Sequence, residues 1–553
     1  MCAFGTQQEM QEANMLRRWW RVGVRGQMIW LIVLCTVGCQ PDKYRDEADE
    51  QVYSILDEKW QGDFGSRTDY QLRDNEPNSQ EILAGSTQPA QMSLAEAVRM
   101  ATANNRDYQT QKEQMYLVGL GLTGARHDFE AQPFATLSGG YAKGAADESV
   151  GLGGQGGVNL LLASGAQIST SLAVDWLRFL TGDARTSLGS VLAATVRQPL
   201  LQGAGRRVVM ENLTQAERDT FYAIRSFNRF RKEFVVSVVT DYYRVLQQLD
   251  RVANEQNNYR RLQVAAEQTR MLAEAGRLPP VQADQAEQAE LDGKNSYVRA
   301  QQSYQQVLDA FKLQLSLPTA ATIALDPNEL AALETTDIDV PAYDMDQLVQ
   351  TALEQRLDLA NVRDQVDDAE RQVYLAENGL LPRVDLVASA NAASEAPTEA
   401  AKIRFDQGDY ELGFDADLNV DKLDERNAYR QSLIALARRR RAYTQTRDQT
   451  EFEVRQAYRD LRAAADVYAI QQMSLKLAAQ RVDSTTELVQ AGRADVRDLL
   501  EAQRSLLSAQ NARTNALVDF TLARLDFLRD LGALKVQPDG LWDEASGAQI
   551  EGP

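Results

Sequence analysis

Residues 410–420 read YELGFDADLNV, and along this stretch the side chains alternate without a break. Tyr410, Leu412, Phe414, Ala416, Leu418 and Val420 fall on one side of an extended chain, with Glu411, Gly413, Asp415, Asp417 and Asn419 on the other. A period of two predicts a strand with one apolar and one polar face. Ile168, Thr170, Leu172, Val174 and Trp176 repeat the pattern against Gln167, Ser169, Ser171, Ala173 and Asp175; Val384, Leu386, Ala388 and Ala390 repeat it more weakly. Strands of about ten residues with this dyad suit an outer-membrane barrel, apolar to lipid and polar to a lumen. A soluble half-buried sheet shows the same period. Strand-like stretches near 133–143, 155–162, 166–176 and 188–199 are more than one hairpin requires. The string GLGGQG at 151–156 matches GxGxxG formally. A strand follows it and not a helix, so the expectation there is a flexible interstrand loop rather than a dinucleotide site.

Outward from the strands the chain turns helical. Neither Pro nor Gly occurs from Arg206 to about Ala275, or from Glu425 to Ala491. As helix, each run reaches roughly 100 Å, too long for a globule. Return helices are expected over about 281–317 and 495–531. The first carries a seam of Tyr297, Gln301, Tyr304, Leu308, Phe311 and Leu315; the second carries Leu499, Ala502, Leu506, Ala509, Arg513, Ala516, Phe520, Ala523 and Phe527. Beside that second seam run Leu500, Leu507, Leu517, Leu528 and Leu531. Two adjacent stripes imply a helix with neighbours on both sides, as in the wall of a tube. A long exposed scaffold would need only one.

The body is built twice. Residues 93–133 match 345–382, each read as one helix of about 35 residues ending at a Pro (Pro133, Pro382) before a strand-like stretch. Ala275-Gly276-Arg277 returns as Ala491-Gly492-Arg493 at an offset of 216 residues. The order helix, strands, long helix, turn, helix thus occurs in tandem.

Charge and composition exclude other classes. Lys+Arg number 59 against 79 Asp+Glu, a net charge of −20, which argues against broad nucleic-acid binding. With one His (His127) and all three Cys (Cys2, Cys35, Cys39) in the first 39 residues, the body has no material for a multi-His metal site or a Cys framework. No cofactor is expected, and no enzyme. His127 follows an Arg on a helix, where a solvated face is the ordinary reading.

The N-terminus reads as a targeting segment. Arg17, Arg18, Arg21 and Arg25 precede the apolar run Met28 to Leu34 and then Thr36-Val37-Gly38-Cys39. Residues 1–38 would be a lipoprotein-type signal and Cys39 the lipidated first residue of the mature chain; an ordinary signal with a chance Cys reads the same way. Residues 39–90, polar and charged, read as a tether.

These stretches resemble the TolC-like outer-membrane efflux family in its lipid-anchored branch. The resemblance rests on SLAEAVRMATANN at 93–105, QPLLQGAGRR at 198–207, RLDLANVRDQVDDAERQV at 356–373, the two turns, and LRDLGAL at 528–534. It implies a homotrimer sharing a membrane β-barrel continuous with a long periplasmic α-helical barrel. The repeats would be 91–317 (strands 133–199) and 345–535 (strands 382–421), with 318–344 as an equatorial linker and 536–553 as a tail. It implies that Gly276, Arg277, Gly492 and Arg493 form tips that dock a periplasmic adaptor and, through it, an inner-membrane pump. Asp498 and Glu501, spaced i,i+3, would ring a periplasmic gate, with Arg493 and Arg497 near enough to close it by salt bridges. The first repeat does not reproduce the acid pair, having Gln282, Asp284 and Gln285 there. Asp415 and Asp417 would face the lumen.

Two function classes fit the sequence. One is a passive outer-membrane duct for efflux or type I secretion; the other is a lipid-anchored envelope scaffold without a pore. The doubling with strand groups at matching places favours the duct.

Overall fold

The computed structural model describes residues 40–537 apart from 61–63, 65–66, 68–69, 73–90, 145–146, 181–185, 335–339 and 396–398. The signal segment, Cys39 and almost all of the C-terminal tail lie outside the described residues. Two compact units are present, divided after Glu58. Helix α1 (Pro41–Lys59), all but its last residue in the first unit, stands where the composition suggests a tether.

In the second unit, two Pro- and Gly-free runs form the long helices α4 (Glu211–Glu274, 64 residues) and α9 (Leu423–Gln490, 68 residues). Their return partners are α5 (Pro280–Gln314) and α10 (Val496–Asp530), 35 residues each. Because each return helix is about half the length of its partner, a second helix must cover the remainder. Helix α3 (Arg106–His127) does so for α4, with Tyr108 wedged against Phe227, Phe230 and Phe234. Helix α8 (Leu357–Gly379) does so for α9, where Arg440 meets Glu370 at 2.7 Å. Helix α10 packs against both α9 and α4, as its two stripes require. Asp250, Asn254 and Gln247 of α4 bond Thr514, Asn511 and Asn515 of α10 along that second contact.

The expected single helices of 93–133 and 345–382 are each broken. Helix α2 (Leu94–Asn104) ends at Asn105 (φ −65°, ψ 132°), and α7 (Met345–Gln355) ends at Arg356 (φ −73°, ψ 116°). The reason lies in the partners of those two residues. Asn105 accepts from the Tyr108 N–H, capping α3, and its Nδ2 donates to the carbonyl of Gln314, an orphan acceptor at the end of α5. Arg356 donates to Asp358 and to Glu453 of α9. At the first break the end of α5 meets Asn105, at the head of α3; at the second, Gly532, just past the end of α10, lies against Gln355, the last residue of α7.

Both return helices end on a left-handed residue, Ser316 (φ 58°) and Gly532 (φ 82°), again 216 positions apart. An L-residue in this conformation costs about 1–2 kcal/mol, so Ser316→Gly is expected to stabilise the chain by about 1 kcal/mol in thermal unfolding. Between the repeats, β1 (Gln91–Met92) pairs in parallel with β6 (Ala324–Leu325), followed by α6 (Asn328–Leu333). Buried Tyr242 of α4 donates to the Met92 carbonyl at 3.0 Å.

The strands form one antiparallel sheet in the order β2 (Gln132–Lys143), β3 (Glu148–Leu161), β4 (Gln167–Phe179), β5 (Thr186–Pro199), β7 (Arg383–Glu395) and β9 (Asp409–Asp417), with a short β8 (Glu399–Ile403) beyond β9 on the same edge of β7. Cross-strand partners share a face, so the register assigns both faces across the whole sheet. Leu137, Gly154, Val174, Ser190 and, through the next pairings, Leu192, Ala390 and Tyr410 lie on one; Ser138, Gly153, Asp175, Thr195, Ser389 and Glu411 lie on the other. The first face is mainly apolar and the second mainly polar. The GxGxxG string is not a loop: residues 151–156 lie inside β3 and pair on both sides. Glycine fits because neighbouring side chains occupy the space, Leu137 lying 3.3 Å from where a Cβ of Gly154 would stand. Among the described residues no helix is long and apolar enough to cross a membrane.

Candidate functional site at the helix tips and the polar sheet face

The two helix tips have the same backbone chemistry. At the first, Arg277 N–H donates to the Leu272 carbonyl (2.8 Å) and Gly276 N–H to that of Ala273; at the second, Arg493 N–H donates to Leu488 (2.8 Å) and Gly492 N–H to Val489. Each is a Schellman closure, with glycine in the left-handed position at φ 69° and 68°. Open space surrounds both glycine Cα atoms, so backbone conformation and not packing selects glycine. The tips are held side by side by small residues, Ala266 of α4 and Ala286 of α5 against Val496 of α10, with Leu278 and Leu500 at the margin.

Asp498 and Glu501 occupy the first turns of α10, exposed, while Leu499 and Ala502 of the same turns are buried. Arg493 and Arg497 are exposed beside them, and among the described residues no ion pair within 4.0 Å joins either Arg to either acid. The expected closing bridges are therefore not formed within one chain. At the matching turns of α5, Gln282 is half-buried and Asp284 and Gln285 are exposed.

Asp415 and Asp417 lie on the polar face of β9, Asp415 opposite Asp385 and Asp417 opposite Arg383. They are not a free acidic strip. Arg197 of β5 bridges Asp385 (3.2 Å) and Asp415 (3.5 Å), and Arg383 bonds Asp385 at 3.1 Å. Asp385, its side chain 3% exposed, is the centre of this cluster and escaped the sequence reading. Its signal was present in the alternation, as the charge between Val384 and Leu386.

A second unanticipated network joins the repeats near the sheet. Arg371 of α8 bonds Glu211 of α4 at 2.9 Å and Asp368 at 3.0 Å; Tyr222 of α4 donates to Asp368 at 2.6 Å, and Arg225 reaches Asp364 at 2.6 Å. Burial, then the hydrogen bond to Asp368, pushes the Tyr222 hydroxyl well above its ordinary range. His127 is exposed and bonds Glu130 at 3.1 Å, on the solvated face expected of it.

This combination, a two-faced antiparallel sheet continued by helices of roughly 100 Å, is the fold of bacterial outer-membrane channels. The chain aligns with the CmeC outer membrane channel of Campylobacter jejuni (TM-score 0.56, 14% identity, 89% of this chain and 94% of that one). It aligns also with the open state of the MtrE outer membrane channel of Neisseria gonorrhoeae (0.59, 13%, 79% and 88%) and with the outer membrane protein VceC of Vibrio cholerae (0.56, 15%, 79% and 96%). At such identities the likeness is one of fold. In sequence, residues 348–532 match the family described as outer membrane efflux protein, so the resemblance to TolC-like outer-membrane efflux proteins holds in both sequence and fold. No curated protein matches the chain.

Proposed function

We propose that the chain is one protomer of a homotrimeric outer-membrane export duct, anchored by a lipid on Cys39 and extending through the periplasm. The observation that carries this reading is the continuity of a sheet with one apolar and one polar face into paired helices that end in two matching tips. A scaffold has no use for an exposed apolar sheet face, whereas lipid covers it in a barrel. The tips, with Gly276, Arg277, Gly492 and Arg493, would dock a periplasmic adaptor that couples the passive duct to an inner-membrane pump. Threefold symmetry would bring six carboxylates, Asp498 and Glu501 of each copy, to one constriction that favours cations. Asp498→Asn combined with Glu501→Gln is expected to raise conductance and weaken block by divalent cations in planar bilayers; an unchanged channel removes the gate assignment.

Purified outer membranes supply the broader test. A trimer that migrates intact in unheated detergent gels and collapses to monomer on heating is expected. Release of the protein as monomer by a mild salt wash would overturn the duct.

A further inference from the structure

The first repeat carries twice the strand material of the second: β2, β3, β4 and β5 against β7 and β9. Either the β2–β3 hairpin is an appendage or it belongs to the wall. Its geometry favours the wall. β2 and β3 have 12 and 14 residues, at or above the roughly 9–11 needed to cross a bilayer as tilted strand. They pair over all 12 positions from Gln132–Asn159 to Lys143–Glu148, and β3 pairs with β4 over 13 more. The turn from β3 to β4 lies at the end of the sheet where the helices begin: Gly205 N–H donates to Ser164 at 3.3 Å, and Ser164 Oγ bonds Gln198. The hairpin therefore runs the same height as the other strands, and it continues their two faces.

Among the described residues both outer edges, β2 and β9, are unpaired in the single chain. Each presents large apolar side chains on the same face of the sheet, Leu137 (80% exposed) and Tyr141 on β2, and Tyr410, Leu412 and Phe414 on β9, the last two each 74% exposed. An open edge is not tolerated in hydrocarbon, where every N–H and C=O must be paired. Six strands in strict antiparallel succession leave β9 running opposite to β2, so a second copy placed head to tail meets it antiparallel and with its faces matched. Circumference agrees. Six strands at a spacing of about 4.8 Å, tilted about 40°, span an arc of roughly 38 Å. The four helices that leave the sheet, α3, α4, α8 and α9, span roughly 32–40 Å at about 8–10 Å each. Four strands would span only about 25 Å.

We propose that the β2–β3 hairpin is part of the membrane wall, that β9 of one protomer pairs antiparallel with β2 of the next, and that three copies of six long strands close a barrel of 18. Porins with barrels of about this size enclose an aqueous channel. The inference rests on the trimeric duct proposed above, and the test separates the two. Leu137→Cys is combined in turn with Tyr410→Cys, Leu412→Cys or Phe414→Cys, three positions on one face of β9 that sample the register. The full-length protein is then oxidised in outer membranes. Disulfide-linked dimers and trimers are expected from at least one pair and from none of the single variants. A second series replaces Leu137→Cys with Leu172→Cys on β4. An intact trimer that cross-links through β4 and β9, or through neither series, overturns the wall assignment and leaves the duct standing. Absence of any trimer overturns both.

Discussion

Arg356→Ala is expected to destabilise the folded chain by about 3 kcal/mol, the lower end of the range for breaking a buried ion pair. Arg356, 4% exposed, sits at the break between α7 and α8, with Nη2 and Nε on Asp358 (2.7 and 3.1 Å) and Nη1 on Glu453 of α9 (2.5 Å). Without it two carboxylates remain in a partly buried site. Arg229 still reaches Asp358 at 3.1 Å, which keeps the cost from rising further. Lysine is expected to recover only part of the loss, because it lacks the planar fork that reaches both acids. Thermal unfolding in detergent micelles reads both variants.

The same cluster sets a pH dependence. Burial raises the pKa of Asp358, but the hydrogen bond from Arg356 and the charges of Arg229 and Arg356 outweigh it and hold the carboxyl below its ordinary 3.8. Glu453 is likewise drawn below 4.5, burial being outweighed by bonds from Arg356 and Gln449. Folded-state values lower than unfolded ones mean that the stabilisation is complete above the unfolded values and fades as pH falls through the folded ones. Wild-type melting temperature is therefore expected to drop below about pH 4, and that of Arg356→Ala to drop less; equal slopes would show that the cluster is not the origin.

Gly157→Val is expected to remove the β2–β3 hairpin from the sheet. A Cβ at this position would press into the Thr170 carbonyl of β4 and stand 2.7 Å from the Phe134 ring of β2. Gly157 is paired on both sides, so neither backbone yields cheaply, and overpacking of this kind costs about 3 kcal/mol or more. Gly140→Val is the control, since nothing lies within 4 Å of its Cβ direction. Loss of the unheated trimer band in the first variant and its retention in the second is the expected pair of results.

Much of this architecture is legible in local sequence because single residues decide it. The absence of Pro and Gly over 64 and 68 residues leaves nothing to interrupt α4 and α9, and the repeated Ala-Gly-Arg marks both tips. Period two located β4, β7 and β9, although β9 ends at Asp417, three residues short of the alternation that runs to Val420. The breaks at Asn105 and Arg356 were not legible, because what holds them is the Gln314 carbonyl and Glu453, 209 and 97 residues away in sequence. Nor was the placement of GLGGQG inside β3: glycine reads as a loop until Leu137, against Gly154, and Ser138 and Asp175, against Gly153, are seen to fill its space from the neighbouring strands. The charge of −20 speaks against nucleic acid, and the acids it counts are unequal. Asp385 and Asp415 are paired with arginine, whereas Asp498 and Glu501 stand exposed at the tip.

Whether the protein is a duct is decided by single-channel recording of the purified full-length chain in planar bilayers. Discrete, water-filled, cation-selective conductance steps are expected. A protein that inserts into the bilayer and forms no pore, or forms one without cation preference, would contradict the duct.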